Sequence, residues 1–125
     1  MIQGAARYAR ARAETASPDQ VLLLLLREAR LSMTRAVRNL HEGKRADVHR
    51  DIDRASGIVA ELVSSLNHAR APELCANLSA TYEFVLARLV AASSGRNVSS
   101  LEEALRVFCP VAEAFEQVLA PGGAR

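Results

Sequence analysis

Thr15-Ala16-Ser17-Pro18-Asp19-Gln20 runs straight into Val21-Leu22-Leu23-Leu24-Leu25-Leu26, and the reading of this stretch decides the fold. Ser17 is placed to cap the backbone N–H of Gln20, and Pro18 suits a first helical position, where an N–H has no partner in any case. Gln20 can reach back to Ser17 and close a capping box, so a helix begins here. Six consecutive apolar residues then point in every direction through about 1.5 turns. A surface helix needs one apolar stripe; this one requires cover on two sides.

Working outward, the first helix runs from Pro18 to about Glu42 and stops at Gly43, with a core stripe of Leu22, Leu25, Leu26, Ala29, Met33, Ala36 and Leu40. The second spans about Ala46 to His68 on the seam Val48, Ile52, Ala55, Val59, Leu62, Leu66 and Ala69. Gly57 inside it costs about 1 kcal/mol relative to Ala. Pro72 opens the third helix, which continues to about Ser93 with Cys75, Leu78, Tyr82, Val85, Leu89 and Ala92 on one face before Gly95. Ser99 and Glu102 have the spacing of a second capping box, starting a fourth helix on Leu101, Leu105, Phe108, Ala112, Phe115 and Leu119. Pro110 lies within it and predicts a kink near Phe108 to Pro110. Four helices of this length on short connections predict an all-α, antiparallel up-down-up-down four-helix bundle. Its expected limits are residues 17–120, preceded by an Ala/Arg-rich arm or short helix over 1–16 with a single Tyr8, and followed by a frayed tail over 121–125.

Composition supports one domain with one core. Of 125 residues, 50% are hydrophobic and 24% charged, enough to build a core without metals or disulfides. No apolar run exceeds six residues and no hydrophobic region follows the N-terminal arginines, which predicts a cytosolic chain without membrane insertion. Cys75 and Cys109 sit in apolar helical patterns with no Cys-x-x-Cys or neighbouring His ladder, as reduced packing thiols do. The net charge of +2 is uneven: residues 1–54 hold eleven Lys and Arg against seven acids, residues 55–125 five against seven. That asymmetry favours an acidic partner on the N-terminal half but falls short of the dense basic patch of a nucleic-acid binder.

No pattern for catalysis or cofactor binding stands out. The inward Glu and Glu-x-x-His pairs of a di-metal bundle are missing, and His41, His49 and His68 fall at helix ends or in polar surroundings. Asp47, Asp51 and Asp53 lack the glycine and terminal glutamate of a calcium loop and read as a solvated face beside Lys44, Arg45, Arg50 and Arg54. Gly-x-Ser-x-Gly, phosphate-loop and dinucleotide fingerprints do not occur. The expectation is therefore no enzyme, no metal and no cofactor. What is left over is apolar surface. Val21, Leu24 and Leu31, with Glu28 among them, form a second stripe centred about 140° round the first helix from its core stripe. Two covers suit it: the N-terminal arm with Tyr8 as its large anchor, or a partner segment docking on an apolar patch.

Read in order, Tyr8, Thr15-Ala16-Ser17-Pro18, Leu22 and Leu25, then Glu61-Leu62 with Leu66, then Glu73-Leu74-x-x-Asn77-Leu78-x-x-x-Tyr82 continuing through Phe84, Arg88, Leu89 and Ala92, form a series that resembles the flagellin-specific secretion chaperones of the FliS type. The resemblance covers about Tyr8 to Phe115. The chain departs from the family pattern at Leu26-Arg27-Glu28, where the family usually has Tyr, an acid and Gly, at Phe115 in place of a late Trp, and at Pro110. The resemblance implies an antiparallel bundle that binds the disordered C-terminal segment of newly made flagellin in the cytosol, prevents premature polymerisation and delivers it to a component of the flagellar type III export gate. It also implies an arm that covers part of the groove and moves aside. The candidate partner-binding residues are Tyr8, Val21, Leu22, Leu24, Leu25, Leu31, Leu78 and Tyr82. Two other readings use the same features: a homodimer or larger oligomer with the second stripe as its seam, and a nucleic-acid-binding helical module on the basic N-terminal half.

Overall fold

The structure is a computed structural model that describes residues 17–95 and 97–120. The expected arm with Tyr8 and the expected tail over 121–125 lie outside the described residues. Four helices follow one another: α1 (Pro18–His41), α2 (Arg45–Ser64), α3 (Pro72–Gly95) and α4 (Val98–Leu119). Each packs on its chain neighbours and α4 closes back on α1, while the diagonal pairs do not meet. The result is an all-α four-helix bundle.

Local chemistry sets the helix ends. The Ser17 backbone N–H donates to Gln20 Oε1 at 3.0 Å and the Gln20 N–H donates to Ser17 Oγ at 3.2 Å, so the expected capping box is formed. At the other end Gly43 takes φ +75°, a left-handed conformation that a side chain would strain. The Gly43 N–H donates to Leu40 O and the Lys44 N–H to Asn39 O, the two bonds of a Schellman turn. The chain thereby reverses within a few residues and lays α2 antiparallel to α1.

Two boundaries differ from the sequence expectation. α2 ends at Ser64, not near His68: the Asn67 side chain accepts from the Arg70 N–H at 3.2 Å in a local turn, and Pro72 disfavours helical geometry at the residue before it. Ala69, expected on the seam, is exposed in that turn, while Leu66 still packs on the core. α4 begins at Val98 because Asn97 is the cap, accepting from the Ser99 and Ser100 N–H groups at 2.9 and 3.4 Å. Asn caps as well as Ser and lies nearer the start, so the Ser99–Glu102 box does not form and Glu102 instead faces His41.

The ring arrangement answers the puzzle of the leucine run. α1 is flanked by α2 on one side and α4 on the other, and Leu23, Leu25 and Leu26 are all buried. Leu23 was outside the expected stripe, whereas Leu22 and Leu40, inside it, are only half-buried. The core is completed by Met33, Ile52, Ile58, Leu62, Tyr82, Val85, Leu89, Leu101 and Phe108. Tyr82 and Phe108 meet at the α3–α4 contact as a tilted aromatic pair with ring centroids 6.4 Å apart. By length and composition α3 alone among the described helices is apolar enough to cross a membrane. Its charged side chains are Glu73, Glu83 and Arg88, but Cys75, Tyr82, Val85, Leu89 and Ala92 commit one face to the bundle core.

Candidate functional site

α3 and α4 run antiparallel: Tyr82 meets Phe108, and further along α3 Arg88 meets Glu103 through a 3.1 Å ion pair. Beyond the Tyr82–Phe108 contact, towards the start of α3 and the end of α4, lies an open apolar groove of about 450 Å³. It is lined by Leu74 and Leu78 from α3 and by Pro110, Val111, Ala114, Phe115, Val118 and Leu119 from α4. Heptad-like spacing puts Val111, Phe115 and Val118 on one flank of α4, turned towards α3. Leu74 is 55% exposed and Val118 66%, so the groove presents large aliphatic side chains to water. The outer surface of α3 continues this character with Phe84 at 45% and Val90 at 62%. An open apolar groove of this kind is a candidate site for apolar side chains of a partner.

α4 carries charge on its opposite flank. Arg27 Nε donates to Glu116 Oε1 at 2.9 Å, a second Arg27–Glu116 contact makes the pair bidentate, and Arg30 pairs with Glu113 at 3.3 Å. His41 lies 3.8 Å from Glu102 near the far end. Every step forward along α1 is matched by an equal step back along α4, so the pairs form an antiparallel row. The Arg27 guanidinium, through its hydrogen bond to Glu116, holds that carboxyl below its ordinary range. Across the α1–α2 seam, Arg54 pairs with Glu28 at 2.9 Å and Asn39 donates to Asp51 at 2.8 Å. Much of the basic N-terminal half is thus spent on internal pairs, among them Arg27, Arg30, Lys44, Arg50 and Arg54.

The candidate residues fall into distinct places. Leu78 lines the groove. Tyr82 and Leu25 are core residues, 1% and 6% exposed, and burial pushes the Tyr82 phenol up to about 12. Val21 and Leu22 are half-buried against the core. Leu24 is half-buried and Leu31 is 42% exposed on the outer face of α1, with Glu28 between them turned to Arg54. Tyr8 is outside the described residues. Leu74, Val111, Phe115 and Val118, which sequence reasoning did not name as contact residues, line the groove with Leu78, and Leu74 and Val118 are its exposed members. Their signal was the near absence of charge from α3 and the Val/Phe/Leu spacing after Pro110. Among the described residues no group of three or more His, Cys, Asp or Glu side chains is arranged to hold a metal ion; Cys75 is buried and Cys109 half-buried, both as free thiols.

The family model described as flagellar protein FliS matches residues 1–121. The chain belongs to the FliS family of flagellar secretion chaperones. Over 105 residues, 83% of this chain and 78% of the relative, it is 27% identical to the flagellar secretion chaperone FliS of Salmonella typhimurium. Over 67 residues, 54% of this chain and 53% of the relative, it is 33% identical to the flagellar secretion chaperone FliSB of Pseudomonas aeruginosa. The family is non-enzymatic.

Proposed function

We propose that the chain is a cytoplasmic export chaperone that binds the disordered C-terminal segment of flagellin, keeps it from polymerising and presents it to the flagellar export gate. The observation that carries this reading is the α3–α4 groove, an open and almost wholly apolar trough at the end of a bundle whose core is already complete. A disordered client loses conformational entropy on binding and must recover it through apolar burial. Leu74, Val118 and the half-buried Phe115 offer that burial, at about 1.5–3 kcal/mol for each client leucine or phenylalanine fully removed from water. From Pro110 to Leu119 the groove runs about 14 Å at about 1.5 Å per residue, room for two to three turns of a client helix bearing apolar residues three and four apart. Leu78 belongs to this surface directly; Leu25 and Tyr82 support the bundle from within; Leu24 and Leu31 extend the client surface over α1; Tyr8 gates it.

Isothermal calorimetry with a synthetic C-terminal peptide of the flagellin encoded in the same genome tests the proposal. Micromolar or tighter one-to-one binding is expected. No heat at micromolar protein, with the bundle folded by circular dichroism, refutes it. Homodimerisation through the exposed Phe84 and Val90 surface is the rival use of α3, and light scattering across concentration separates the two: a dimer that persists when peptide is added favours the rival.

A further inference from the structure

The half of α4 that walls the groove begins at a gap in the backbone ladder of its own helix. Pro110 has no N–H, so the hydrogen bond that would join it to the Arg106 carbonyl is missing, and Val111–Leu119 continues beyond that gap. Two forces act on this segment from opposite sides. Towards α3, the groove-facing side chains of Val111, Phe115 and Val118 gain by moving in and covering Leu74 and Leu78, because that removes apolar surface from water. Towards α1, Glu113 and Glu116 are held by Arg30 and Arg27. Burial towards α3 and the ion pairs towards α1 thus pull the wall in opposite directions.

We propose that Arg27 and Arg30 are positioning residues for the groove: their pairs with Glu116 and Glu113 act as struts that hold the C-terminal half of α4 towards α1 and keep the trough from collapsing onto α3. The inference rests on the groove being the client site, but the struts act on its width whether or not a client is present. Both pairs are substantially exposed, so their effect is small and salt-sensitive. A strut of modest strength suffices where the backbone ladder already lacks one hydrogen bond, at Pro110.

The neutral dye N-phenylnaphthylamine reads the open groove in the full-length chain without any client, and Leu74→Asp shows that the dye sits there. In the double variant Arg27→Gln/Arg30→Gln, dye affinity is expected to fall about three- to tenfold at low salt, with unchanged far-UV circular dichroism and a stronger methyl NOE between Leu74 and Val118. The swapped pair Arg27→Glu/Glu116→Arg is expected to restore affinity to within about twofold of wild type, which loss of packing alone would not permit. Raising NaCl to about 1 M, where the Debye length is about 3 Å, should weaken dye binding to wild type and not to the double variant. Wild-type dye affinity and an unchanged NOE in the folded double variant overturn the proposal, as does a folded swapped pair that binds no better than Arg27→Glu alone. Dye binding that follows the pairs while wild type ignores the flagellin peptide retires the client reading and leaves the struts standing.

Discussion

Replacing Leu74 by Asp separates the groove from the fold more cleanly than any other single change. Leu74 sits in the first turn of α3, two residues after Pro72, and is 55% exposed. The folded protein therefore loses little packing, and an added carboxylate near a helix N-terminus is favourable by about 0.3–1 kcal/mol. The expected change in bundle stability is within about 0.5 kcal/mol of zero. Binding responds differently. A client that covers the exposed half of Leu74 gains about 1–1.5 kcal/mol there, scaled from about 1.5–3 kcal/mol for a fully buried leucine. The aspartate forfeits that gain and adds about 1–3 kcal/mol for burying an unpaired polar group against the client. Together these amount to about 2–4.5 kcal/mol, a loss of roughly 30-fold to a thousandfold at about 1.4 kcal/mol per tenfold. Calorimetry with the flagellin peptide and a thermal melt of the same sample supply both halves of the comparison. Full peptide affinity in a folded Leu74→Asp protein refutes the groove as the client site. A collapse of the melting temperature instead means that Leu74 belongs to the core.

Leu31→Asp probes the outer face of α1: with Leu31 42% exposed, peptide affinity should drop roughly tenfold without loss of helicity, and unchanged affinity confines the client to α3 and α4. Ser32 is buried at 1% exposure and its Oγ has no hydrogen-bond partner among the described residues, so Ser32→Ala should stabilise the bundle by about 0.5–1.5 kcal/mol in urea titration through better helix propensity and removal of a desolvated hydroxyl; a destabilised variant would show that the hydroxyl is engaged. Burial pushes the Tyr82 phenol up to about 12. Between about pH 10 and 12 the unfolded chain ionises while the fold keeps the proton, so the unfolded state binds fewer protons and stability falls as pH rises. Stability is unaffected below pH 10, the loss reaches about 2 kcal/mol by pH 12 at about 1.36 kcal/mol per unit, and Tyr82→Phe should abolish this part of the alkaline decline relative to wild type.

The helices were legible because their signals are local. Ser17, Pro18 and Gln20 define a start within four residues, and the Gly43 turn defines a stop, so α1 comes out nearly as the sequence describes it. The misplaced boundaries lie where two local signals compete. Asn97 and Ser99 are both good caps, and the earlier one wins; Asn67 draws the backbone into a turn before the apolar pattern of α2 has ended. Leu23 was missed for a different reason. A single-stripe reading assumes one covering partner, whereas a helix in a closed ring has two neighbours, and burial of Leu23 beside Leu25 and Leu26 depends on tertiary packing that the stripe does not show.

The site was less legible because exposure is a property of what fails to cover a residue. Val21, Leu24 and Leu31 looked like surplus on α1, yet Val21 packs against the core and Glu28, in the middle of that stripe, is used to hold Arg54. The larger surplus lies on α3 and α4, where Leu78 and Phe115 read as ordinary seam residues. They are seam residues of a seam that opens. Leu74 and Leu78 would meet Val111 and Phe115 in a uniform antiparallel pair, as Tyr82 meets Phe108, but beyond Pro110 the two helices leave a trough between them. Pro110 and Arg27, two positions where the chain departs from the family pattern, stand on either flank of that segment: one breaks the backbone ladder at its start, the other grips Glu116 near its end. A substitution that looks like a blemish in a motif can therefore carry structural meaning only in three dimensions, where the missing N–H of Pro110 and the guanidinium of Arg27 act on the same nine-residue wall.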